Sequence, residues 1–108
     1  MQFYVNGVTW TLQFVRPSSR HLQRSDGSWT LGVTDDRIKT VFIADGLSKK
    51  FTDKILCHEL THVFCFEYHY YMDIQTEEIV ADFMSLYGRD IIYLADSIMG
   101  NLIRRFTA

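Results

Sequence analysis

His58-Glu59-Leu60-Thr61-His62 constrains this chain more than any other stretch. Residues four apart share one face of an α-helix, so both imidazoles can reach one ion only if the segment is helical. The glutamate after the first histidine then stands beside the metal, where it can take a proton from water. Zinc bound for catalysis takes three protein ligands and leaves one position open, so the fold must bring one more ligand to this helix from elsewhere.

Downstream, Thr76–Phe83 begins a second helical run. Glu78 follows His62 by sixteen residues, enough for the first helix to finish and a second to return. Asp82 follows Glu78 by four and shares its face. That spacing makes Glu78 the preferred third ligand and Asp82 the acceptor for the Nδ1 proton of a ligand histidine, foremost His58. Two acids flanked by Ile79, Val80, Ala81 and Phe83 are costly to place there without a cation. Glu77 is the rival ligand, but its four-residue partner is Ala81, which supports no histidine. His69 is the weaker rival, because a continuing helix would carry it about 10 Å along the axis from His62. The longer pattern with a third histidine is excluded, since its glycine position is Cys65 and its histidine position Tyr68.

These residues resemble the gluzincin group of zinc peptidases, and more closely the ImmA/IrrE-like metallopeptidase family of bacteria, phages and mobile elements. The resemblance runs from Thr40–Ala44 through His58–His62 to Glu78-Ile79-Val80-Ala81-Asp82. It implies zinc held by His58, His62 and Glu78, Glu59 as general base, and Asp82 as orienting acid. It also implies a protein or peptide substrate, with transcriptional repressors prominent among those of the family. In such peptidases a strand near Thr40–Ala44 borders the cleft and pairs with extended substrate. Val41, Phe42, Ile43 and Ala44 are therefore candidates for substrate binding, although their composition suits sheet packing equally. The chain departs from the family in carrying Thr61 at a commonly glycine position, and no helix-turn-helix domain is expected within its 108 residues.

The remaining sequence reads as one α+β domain over residues 1–108. Gln2–Val5, Asn6-Gly7 and Val8–Val15 form a hairpin pattern, because Asn-Gly suits positive backbone angles. Arg16–Gly27 reads as a surface loop, Trp29–Val33 and Thr40–Ala44 as strands. Ser48 or Thr52 caps the first helix, and Asp73 or Thr76 the second. A final helix from about Asp90 to Arg104 places Ile91, Leu94, Ile98 and Leu102 on one face and predicts their burial. The expected fold is a minimal zincin-like domain: an antiparallel or mixed amino-terminal sheet against the HExxH helix, then carboxy-terminal helices.

A transition-state donor is expected among His69, Tyr70, Tyr71 and Tyr87, although Tyr68, Tyr70 and Tyr71 also suit plain packing between helices. A net charge of -2, with acids interrupting the basic residues, supplies no stripe for nucleic acid. Neither a leader pattern nor a membrane-spanning run is present. Cys57 and Cys65 are about 12 Å apart on one helix, too far for a disulfide, which favours a reducing, cytoplasmic setting. An interaction module that holds zinc without cutting is the competing function. Glu59 argues against it, because holding zinc does not need that carboxylate.

Overall fold

The computed structural model describes residues 1–106; the expected 1–108 domain extends two residues beyond them. Four strands form one sheet: β1 (Gln2–Val5), β2 (Val8–Val15), β3 (Gly32–Asp35) and β4 (Thr40–Ala44). Three α-helices follow: α1 (Lys49–Glu67), α2 (Ile74–Phe83) and α3 (Arg89–Leu102). The arrangement is α+β, and the sheet is mixed.

Local chemistry explains the first elements. Asn6 and Gly7 sit at φ +49° and +76°, which turns β1 directly into antiparallel β2. Ser48 Oγ accepts from the Phe51 amide at 3.1 Å and starts α1. The helix stops at Glu67, and His69 at φ +61° reverses the chain. Asp73 then accepts from the Thr76 amide at 2.8 Å and caps α2.

The strand order is β1-β2-β4-β3, with β4 parallel to β2 and antiparallel to β3. This corrects the expected place of Val41, Phe42, Ile43 and Ala44. They belong to a central strand paired on both edges, and none is more than 3% exposed. Val41 and Ile43 join Val5, Trp10 and Val63 in the core against α1. Phe42 and Ala44 pack with Leu22 on the other face. An uninterrupted apolar run is what burial on both faces requires, and a strand paired on both sides offers no open edge to an extended peptide. The edge strand on the β4 side is β3, with β1 at the opposite edge; β3 also begins later than the expected Trp29–Val33, and Trp29 stays about half exposed outside it.

The second correction concerns α3. Ile91, Leu94 and Ile98 are 48%, 62% and 48% exposed, and no residue of α3 is buried. Helical spacing identifies a common face but not whether anything covers it. Here a π-turn, Met84–Gly88, carries α2 into α3 without a reversal, and Gly88 keeps helical angles at φ -56°, ψ -46°. The helix therefore runs on past the sheet instead of folding back, and the molecule measures 58 × 31 × 28 Å. Arg89 fastens its first turn to α1 through Asp53, with Nη2 to Oδ1 at 2.9 Å. Ile91→Glu combined with Leu94→Glu should leave the unfolding free energy within about 0.5 kcal/mol of the parent, as for other exposed sites. A fall of several degrees in the thermal midpoint would show that the sheet body covers this face.

Candidate metal centre

Helix α1 brings His58 and His62 to one face, their ring centroids 5.0 Å apart. Helix α2 returns alongside and sets Glu78 across from both. His58 Nε2 and His62 Nε2 are 3.2 Å apart. Glu78 Oε2 lies 3.3 Å from the first, and Oε1 lies 2.8 Å from the second. One ligand atom from each residue can be chosen so that all three lie within 4.8 Å of one another. Tetrahedral zinc with bonds of about 2.0–2.2 Å needs neighbouring donors about 3.3 Å apart, so the donor set fits it.

The opposite side of each ring explains why both Nε2 atoms face inward. Asp82 Oδ1 is 2.9 Å from His58 Nδ1, and Glu77 Oε2 is 2.9 Å from His62 Nδ1. A neutral imidazole donating from Nδ1 presents an acceptor lone pair at Nε2. Two such lone pairs and a carboxylate then point at one another across about 3 Å, an arrangement that a cation resolves. The triad, with the glutamate inside the motif, has the geometry of a gluzincin-type HExxH site.

Glu59 is buried beside this cluster, its Oε2 3.9 Å from His58 Nε2. Thr34 Oγ1 on β3 lies 2.9 Å from Glu59 Oε1 and 3.1 Å from the Glu59 carbonyl, so one hydroxyl proton serves both acceptors. Burial pushes the Glu59 carboxyl above its ordinary range, with the Thr34 hydrogen bond opposing it. Gly32 lets β3 come this close. A Cβ there would stand 2.6 Å from Ile55 Cγ2 and 3.0 Å from Glu59 Cγ.

A cleft crosses the centre in two lobes. The wider, of about 700 Å³, is bordered by the whole of β3 and by Tyr70, Tyr71, Met72 and Glu77. The narrower, of about 450 Å³, lies towards the start of α1. Of the four expected auxiliary donors, Tyr70 and Tyr71 line the wider lobe, whereas His69 and Tyr87 line neither. His69 Nδ1 instead meets Tyr71 Oη at 2.9 Å, and Tyr87 packs on Phe83 with centroids 5.3 Å apart.

Thr34 and Gly32 are site residues that sequence reasoning missed, as is the orienting role of Glu77, which the sequence offered only as a rival ligand. Spacing along α2 gives Glu77 no partner, because the histidine that it meets, His62, lies on α1. A glycine inside a strand does signal close approach, and Gly32 carried that signal. Asp82→Asn and Glu77→Gln should each lower zinc affinity by about 10–100-fold, the usual effect of removing a histidine-orienting carboxylate. Competition with a fluorescent chelator measures this, and parental affinity in either variant would deny that acid an orienting role. No protein-family model matches the chain, and no curated protein matches it.

Proposed function

We propose that this protein is a zinc-dependent endopeptidase. The observation that carries the reading is the convergence of His58, His62 and Glu78 beside a buried Glu59. Zinc held by those three side chains would supply Lewis acidity, lowering the pKa of a water molecule and polarising a peptide carbonyl. Glu59 takes the proton released as water adds to that carbonyl, then passes it to the departing amine. Thr34 and the tight approach at Gly32 hold the carboxylate in place for both transfers. Asp82 and Glu77 fix the two imidazoles.

Extended substrate is best placed along β3. This strand pairs with β4 on one edge only, and Gly32–Asp35 borders the wider lobe throughout. Backbone pairing with such an edge holds a peptide without demanding one side-chain sequence. The resemblance to ImmA/IrrE-like peptidases supports a selective protein substrate, with a transcriptional regulator of a phage or mobile element as our choice. No helix among the described residues is long and apolar enough to cross a membrane. Cys57 and Cys65 are both free, which supports placing the protein in the reducing cytoplasm.

The decisive experiment maps new peptide termini in lysate treated with zinc-loaded parent or with Glu59→Gln protein. Cuts made by the parent alone would establish proteolysis and identify the substrate together. Their absence from a folded, zinc-loaded sample would favour a zinc-supported interaction module, a reading that the uncovered apolar face of α3 already suits.

A further inference from the structure

The narrower lobe is bordered by two cations that no carboxylate holds in an ion pair: Arg24 has only the nearby charge of Asp26, and the acids of the lobe itself face the histidine cluster or Thr34. Arg24, from the loop before β3, and Lys54, from α1, both border it, together with Leu31, Phe51 and Ile55. On α1, Phe51, Lys54 and Ile55 precede His58 at helical steps, so cation, apolar wall and histidine share a face. Among the described residues the Lys54 side chain enters no hydrogen bond or ion pair. The one side-chain hydrogen bond from Arg24 runs 3.5 Å to Thr30 Oγ1. Nearby Asp26 is engaged by Ser28 at 2.6 Å.

The acids of this lobe are all committed. Glu59 receives Thr34, Glu78 faces both Nε2 atoms, and Asp82 holds His58 Nδ1. Other cations are held in ion pairs, Arg37 by Asp35, Lys39 by Glu67 and Arg89 by Asp53; Arg24 and Lys54 differ from the cations outside these pairs in bordering the lobe beside the metal centre.

We propose that Arg24 and Lys54 make this lobe a carboxylate-binding subsite that sets specificity. The substrate would present an Asp or Glu side chain there, or its own terminal carboxylate, while the scissile bond lies at the metal centre. The proposal rests on the peptidase reading. Two donors of positive charge can form charge-assisted hydrogen bonds to one carboxylate, while Leu31, Phe51 and Ile55 cover its methylene groups. A Lys or Arg in the same place meets like charge and is rejected.

The test uses short zinc-chelating hydroxamate peptides, matched except for Glu or Gln at one position, with free or amidated carboxyl termini. Calorimetry on zinc-loaded protein should show about tenfold tighter binding for Glu at one fixed position, as a charge-assisted contact predicts. Arg24→Glu and Lys54→Glu should erase that preference and turn it towards Lys, with circular dichroism and zinc content confirming intact protein. The milder Lys54→Gln should weaken the preference without reversing it. A preference that vanishes on amidation supports the proposal and assigns the carboxylate to the chain terminus; one that survives assigns it to the side chain. Equal binding of Glu and Gln peptides overturns the subsite, as does a preference untouched by the variants or failure of every hydroxamate to bind. Glu59-dependent cuts without a charge preference sink the subsite alone. A charge preference without cuts keeps the subsite and removes the peptidase reading.

Discussion

Glu59→Gln is expected to keep its fold and its zinc while losing peptide hydrolysis by about 10²–10⁴-fold, the range for removing a positioned general base. The substitution preserves shape in a site with no spare room, since Gly32 already lies against the Glu59 side chain. The new carbonyl oxygen can still accept from Thr34 Oγ1, which stands 2.9 Å from Glu59 Oε1. The change is therefore confined to basicity, because an amide cannot take the proton of the attacking water. Turnover of the mapped substrate, measured as kcat with zinc content checked in the same sample, decides the matter. Parental kcat in a zinc-replete Glu59→Gln protein would assign the proton transfer to another group.

His58→Ala combined with His62→Ala should reduce zinc from about one ion per chain to none. The double variant leaves Glu77, Glu78 and Asp82 crowded together with neither nitrogen ligand remaining, so carboxylate charge alone must attract the ion. Mass-spectrometric metal analysis after dialysis gives the stoichiometry. Thermal unfolding gives an independent readout: at a hundredfold excess of zinc over its Kd, the parent gains about 2.7 kcal/mol and the double variant nothing. Equal zinc content in the two proteins would dismantle the site. Between the acids, Glu78→Ala should cost more affinity than Glu77→Ala, because Glu78 faces both Nε2 atoms and Glu77 only one Nδ1. The reverse order would make Glu77 the ligand.

What could be read from the chain divides by range. The hairpin around Asn6-Gly7 is a local event, settled by two residues that tolerate positive φ. The His58–His62 and Glu78–Asp82 pairs are local too, because four residues return a helix to the same face. The failures are questions of neighbourhood. Thr40–Ala44 announced a strand, but no residue within it says how many strands lie beside it. Its unbroken apolar run was the available clue, and the central position explains it. Ile91, Leu94 and Ile98 kept helical spacing, yet burial depended on whether the chain reversed near Gly88, and it did not. Glu77 reaches His62 only after two helices pack, so a search along one helix could not find it.

The continuous passage from α2 into α3 has an energetic consequence. Zinc stabilises only those conformations that keep its ligands together, so it raises the cost of every opening that separates α1 from α2. Fraying of α3 beyond its Arg89–Asp53 anchor separates no ligand and exposes no buried side chain. Its backbone amides should therefore exchange with solvent at a rate indifferent to metal, while those of α1 and α2 slow as zinc is added. One unbroken run of helix would thus hold two independent stabilities, divided at the π-turn.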